Sequence, residues 1–201
     1  MASSIYISIA FVLGVLLGRM GVLPLDSLPS GMIEYVLYGL IFFVGISVGA
    51  NVEVWKTIKK MHVKILLLPL SIIVGTLAGS AAVSLVLARI SLSEALAVGA
   101  GFGYYSLSSV LIAQLDGEVL GVIALLSNLM REILTLLASP LLVRSFGKLA
   151  PIAAGGATAM DTTLPVITRF SGKEYAVFAV FSGVLLTFLV PLLVPLCLAW
   201  R

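Results

Sequence analysis

Three ionisable residues stand in stretches otherwise too apolar for them: Arg131, Glu132 and Asp161. A charge at the centre of a membrane helix costs roughly 2.5–3.5 kcal/mol on insertion scales, so each needs a reason to be there. Arg131 and Glu132 are neighbours on one helix and project apart, so each must find its partner elsewhere. Asn128, Glu132, Thr135 and Ser139 follow at spacings of four, three and four, which draws one polar stripe down an apolar helix. Such a stripe lines something wet, or else glues helices together through interhelical hydrogen bonds; the carboxylate of Glu132 favours the first. Asp161, followed by Thr162 and Thr163, sits where a helix breaks. Its structural role would be an N-cap for the half-helix starting there, with Pro165 tolerated in the first turn. The half-helix terminus also offers bare N–H groups and a positive dipole end that suit a substrate carboxylate, while Asp161 suits an ammonium. At an earlier break, Tyr104, Tyr105, Ser106 and Ser108 supply hydroxyl contacts, or act as packing and interfacial residues.

The rest of the chain must hold these groups at membrane depth. Of 201 residues, 61% are hydrophobic and 10% charged, with a mean hydropathy of +1.21. A soluble domain carries about 25% charged residues because its surface faces water, so this chain faces lipid over most of its outside. Net charge is only +3, and the Lys and Arg residues cluster in loops as topology signals, not as a nucleic-acid surface. The one cysteine, Cys197, cannot form an intramolecular disulfide. The apolar run over 5–17 lacks a charged n-region and an A-x-A-like cleavage site, so it reads as a first span. Crossing a bilayer takes roughly 20 helical residues, and runs of that character lie at about 4–18, 33–50, 63–87, 119–143 and 175–200.

Two further runs, about 95–113 and 152–168, put glycines and hydroxyl residues where a lipid-facing span would put Leu and Val. Broken backbone is tolerated at membrane depth only when buried in protein or lining a wet cavity. Loop charge then separates hairpins from plain spans. Lys56, Lys59, Lys60 and Lys64 place the loop after the second span in the cytoplasm. If both glycine-rich runs dip in and return, Glu94, Asp116 and Glu118 stay outside, while Arg144, Lys148, Arg169 and Lys173 stay cytoplasmic. Seven plain spans would reverse the acidic loop and the Arg144 and Lys148 loop. The expected fold is therefore one all-α membrane transport domain over 1–201. It has about five transmembrane helices and two re-entrant hairpins entering from opposite faces, with the amino terminus inside and the carboxyl terminus outside. Trp55 and Trp200 stand at span ends as interfacial anchors, and His62 falls in the basic loop. The runs 103–112 and 159–168 also align as small or hydroxyl residues followed by an apolar tail. A degenerate inverted repeat, with substrate bound between its halves, would look like this; so would shared membrane composition.

Three ordered motifs carry a resemblance: Gly101-Phe-Gly-Tyr-Tyr-Ser-Leu-Ser108, Asn128-Leu-Met-Arg-Glu-Ile133 and Gly156-Ala-Thr-Ala-Met-Asp-Thr-Thr-Leu-Pro-Val-Ile167. From about the second span to the carboxyl terminus the chain resembles the LysO-type bacterial and archaeal lysine exporters. The resemblance implies export of L-lysine and its toxic analogue thialysine across the cell (inner) membrane, with Glu132 and Asp161 at the family's intramembrane acidic positions. Two departures stand out. Many members carry Asn-Asp where this chain has Ser127-Asn128, so one acid is absent. Long members have additional amino-terminal spans with another acidic residue, for which a homodimer or a separate subunit would compensate.

The residues fit that cargo on chemical grounds as well. Lysine needs an anion for its side-chain ammonium and donors for its carboxylate. Exporting net positive charge against an inside-negative potential costs about 2.3 kcal/mol per charge per 100 mV, which exchange for an inward proton would offset. A buried carboxylate that binds either cation or proton would do this. The expected site is thus Asp161, Glu132, Asn128, Arg131, Tyr104, Ser106, Ser108, Thr162 and Thr163, with no cofactor or metal. Competing readings are export of another amino acid or a cationic drug, a passive pore, or a structural subunit. An intramembrane hydrolase has little support: no span holds a histidine or an H-E-x-x-H motif, and Asp161 is the one aspartate at membrane depth.

Overall fold

The computed structural model describes residues 63–200 apart from position 88, together with isolated positions between 13 and 46. The spans expected over 4–18 and 33–50 fall almost wholly outside the described residues, as do Trp55 and His62. By contacts the chain divides into two units, Met1–Leu40 and Ile41–Arg201, and the elements that follow lie in the second.

Every element among the described residues is helical. Helix α1 (Leu67–Val86) follows a 3-10 turn over Val63–Leu66 and buries only Pro69 and Ile72. Helix α2 (Leu92–Gly99) starts at a capping box, in which Ser91 Oγ accepts from the Glu94 amide and Glu94 Oε2 accepts from the Ser91 amide; these bonds satisfy donors that a helix start leaves open. Helix α3 (Tyr105–Asp116) and α4 (Glu118–Phe146) meet at Gly117, whose φ of 99° gives the sharp turn. Helices α5 (Ala150–Gly155) and α6 (Leu164–Phe170) each carry a proline in the first turn, where its missing N–H does no harm. Helix α7 (Ala176–Leu198) closes the described fold.

Among the described residues, three stretches are long and apolar enough to cross a membrane: Leu67–Val86, Glu118–Phe146 and Lys173–Leu198. They match the spans expected at 63–87, 119–143 and 175–200. The glycine-rich runs are interrupted as expected. At 1.5 Å per residue, α2 reaches about 12 Å and α3 about 18 Å, against a hydrocarbon core of about 30 Å.

Two relationships fix where these short helices run. Lys148 Nζ lies 3.8 Å from Glu174 Oε1 and 5.5 Å from the Tyr175 ring centroid, so the residues before α5 and those after α6 stand side by side. Ile152 of α5 and Ile167 of α6 share one buried cluster with Ala159 and Ala179; the segment from α5 to α6 therefore folds back on itself. At the other end, Ile123 of α4 lines the same cavity as Val83, Leu87 and Ile90, which brings the start of α4 to the turn between α1 and α2. A Cβ added at Gly99 would meet Ser80 and Thr76, so the end of α2 reaches the middle of α1.

Candidate functional site

The two breaks meet backbone to backbone. The Ala157 amide donates to the Phe102 carbonyl across 2.8 Å. Glycines make the approach feasible: a Cβ at Gly103 would stand 2.8 Å from the Gly155 carbonyl oxygen, and one at Gly156 would collide with the Phe102 carbonyl oxygen. Gly103 and Gly156 also take φ values of 96° and 63°, which L side chains rarely adopt. Phe102 itself sits at φ 47° and is fully buried, so packing holds it in a conformation that disfavours a non-glycine residue.

Helix α4 grips both breaks. Asn128 accepts from the Gly103 amide at 2.8 Å and donates to the carbonyls of Val98 (3.1 Å) and Ala124 (2.9 Å). Arg131 donates from Nε to the Ala154 carbonyl (2.7 Å), from Nη2 to the Ala153 carbonyl (3.0 Å) and from Nη1 to Thr76 Oγ1 (3.2 Å). Its partners are the carbonyl end of α5, which carries the negative end of that helix's dipole, and a hydroxyl of α1. The expected polar stripe is real: Asn128, Glu132, Thr135 and Ser139 are all buried. Thr135 and Ser139 satisfy their hydroxyls on carbonyls of their own helix. Glu132 does not pair so neatly; its Oε2 is buried with no hydrogen-bond partner among the described residues.

Beside the junction lies a cavity of about 160 Å³ lined by Gly103, Tyr104, Tyr105 and Ser106 from the first break, and Ala157, Thr158, Met160, Asp161 and Thr162 from the second. The structure thus brings Tyr104, Ser106, Asp161 and Thr162 of the expected set to one space. Ser108 and Thr163 are fully buried behind it, Thr163 with its hydroxyl 3.5 Å from that of Thr158. Glu132 is not among the residues lining this cavity.

One local expectation is corrected. Asp161 does not cap α6: the N-cap is Thr163, with no side-chain bond to the helix. The Asp161 carboxylate instead accepts from the amide and hydroxyl of Thr162, its immediate neighbour, and remains exposed. Two further turn residues separate it from Leu164, too far for a cap. Thr158, Met160 and Phe102 were not singled out by sequence reasoning; the signal available was the pairing of Gly101 and Gly103 with Gly155 and Gly156.

A second cavity, about 460 Å³, lies between α1, α2 and α4, with Arg131, Asn128, Ser127, Thr76 and Ser80 as its polar lining among mostly apolar residues.

Over residues 8–198 the sequence matches the family described as Lysine exporter LysO. It is 33% identical over 183 residues to Lysine exporter LysO of Escherichia coli (strain K12), an alignment covering 91% of this chain and 60% of that protein. It is 36% identical over 165 residues to a Haemophilus influenzae protein named "Putative lysine exporter", covering 82% of this chain and 83% of the other. The chain spans less than two thirds of the length of the Escherichia coli relative. No solved structure matches it.

Proposed function

Because the chain belongs to the LysO lysine exporter family, we propose that it exports L-lysine, and analogues such as thialysine, from the cytoplasm across the cell (inner) membrane in exchange for protons. The observation that carries this reading is the small cavity where the two breaks meet, with the exposed Asp161 carboxylate among hydroxyls and backbone. Drug-sized ligands fill roughly 300–1,000 Å³, so a space of about 160 Å³ suits a small zwitterion. Asp161 receives the side-chain ammonium; Tyr104, Ser106 and Thr162 contact the remainder. Glu132, buried with an unpartnered oxygen, carries the proton. Asn128, Arg131, Ser108 and Thr163 stand behind these groups.

The topology belongs to the same proposal. The run over 95–113 and that over 152–168 are re-entrant hairpins from opposite faces within a single membrane domain. The Lys148–Glu174 pair supports the return of the second hairpin to its starting side. The positive-inside rule assigns that side, with Arg144, Lys148, Arg169 and Lys173, to the cytoplasm. The amino terminus is then cytoplasmic and the carboxyl terminus outside, and the two hairpins form an inverted repeat. A homodimer supplies the spans that longer members hold in one chain.

Radiolabelled lysine flux in proteoliposomes, at two external pH values, tests the reading with wild type, Asp161→Asn and Glu132→Gln. Saturable flux that rises with an inward proton gradient and is lost in both variants is expected. Undiminished flux in both variants would remove these carboxylates from the mechanism, and flux that never saturates would make the protein a pore.

A further inference from the structure

Arg131 is a half-buried cation whose hydrogen bonds all go to neutral oxygens. They reach the carbonyls of Ala153 and Ala154 and the hydroxyl of Thr76. A guanidinium presents donors in a fixed fork, and here the fork spans two consecutive carbonyls at the end of α5 while its third arm reaches α1. The residue that follows α5, Gly156, has no room for a side chain, because a Cβ there would lie 3.2 Å from Arg131 Nη2 and collide with the Phe102 carbonyl oxygen. Arg131, Gly156 and Phe102 therefore stack without a gap. Ala157 then bonds to Phe102, and Asp161 follows four residues later.

Neighbours of the same stack line both cavities. Arg131 and Asn128 line the larger one; Gly103, to whose amide Asn128 is bonded, and Ala157 line the smaller one. The Asn128–Gly103 bond thus links a residue of the larger cavity to one of the smaller.

We propose that Arg131 is a positioning residue for transport: it presses the second break against the first, keeps the two cavities apart, and sets the place of Asp161 without touching substrate. This rests on the reading of Asp161 as the cation ligand, and it assigns Arg131 a different role from a contact to the substrate carboxylate. A carboxylate ligand would leave the guanidinium fork free for the ligand. Here the Nε–Nη2 edge of the fork is occupied by the Ala154 and Ala153 carbonyls, and Nη1 by the Thr76 hydroxyl.

The test uses proteoliposomes of wild type, Arg131→Gln, Arg131→Lys and Asp161→Asn, with lysine and with lysinamide, which lacks the carboxylate. For Arg131→Gln, maximal counterflow of both substrates is expected to fall by the same factor, about tenfold, the scale on which small misplacements of a binding group act. KM for lysine stays within about twofold, and Arg131→Lys restores part of the rate because it keeps the charge and one carbonyl contact. A second measurement needs no transport. In Thr162→Cys/Cys197→Ala protein without substrate, a water-soluble maleimide is expected to label position 162 severalfold faster once Arg131→Gln is added. Loss of lysine affinity with lysinamide spared, and unchanged labelling, would make Arg131 a carboxylate ligand and overturn the proposal. If Asp161→Asn leaves flux intact, the cation-ligand reading fails, and the labelling rate still decides whether Arg131 holds the break. Should Arg131→Gln not yield folded protein, Arg131→Lys carries both measurements.

Discussion

The amide of Ala157 and the carbonyl of Phe102, 2.8 Å apart, join two interrupted helices that are distant in sequence. Around that bond the chain has removed side chains: Gly103 faces the Gly155 carbonyl, and Gly156 faces the Phe102 carbonyl. A methyl group at Gly156 would force the breaks apart at a φ of 63°. Gly156→Ala is therefore expected to destabilise the protein by about 1–3 kcal/mol and to abolish lysine flux. Thermal unfolding in detergent checks the first effect. Gly75→Ala is the control, since nothing lies within 4 Å of a Cβ there, and a helical Gly→Ala change stabilises by about 0.5–1 kcal/mol.

Asn128 and Glu132 lie one turn apart on the same buried stripe, yet their replacement should affect stability differently. Asn128→Ala strands the Gly103 amide and removes one of the bonds to the Val98 carbonyl, which keeps the one from the Gly101 amide. An orphaned buried group costs about 1–3 kcal/mol, so the unfolding temperature and the transport rate should fall together. Unaltered thermal stability of this variant would show that the first break holds itself.

Glu132→Gln removes a charge whose Oε2 has no partner to lose. Stability is expected to stay within about 1 kcal/mol of wild type, while proton-coupled lysine flux disappears. A large drop in stability would make Glu132 a structural residue after all.

The proposed hairpin topology predicts sidedness. Single cysteines replacing Lys148 and Lys173 should react with an impermeant thiol reagent from one face of the membrane. Cysteines replacing Glu94 and Glu118 should react from the other. Lys148 and Lys173 labelled from opposite faces would mean that the second segment crosses fully.

How much of this was legible in the sequence depended on the range of the signal. The stripe of Asn128, Glu132, Thr135 and Ser139 follows from helical spacing, and all four are buried. The breaks were visible because Gly and hydroxyl residues interrupt apolar runs, and helices stop there at Gly99 and Gly155. The partners of Arg131 were not legible, since backbone carbonyls at 153 and 154 carry no side-chain signature. Nor was the orientation of Asp161, whose carboxylate turns onto Thr162 instead of reaching the helix that starts at Leu164. Capping propensity is a local preference, and the two turn residues between Asp161 and α6 moved it out of range.

The glycine contact between the breaks carries a consequence for how such a protein can diverge. Positions 103 and 156 are closed to any side chain by the backbone of the other break, so a change of cargo cannot be written there. It has to be written in the ring of Tyr104, Ser106, Met160 and Thr162, whose side chains differ in size and polarity without disturbing the seam beneath them. Relatives that carry other cargo should keep the seam and vary the ring.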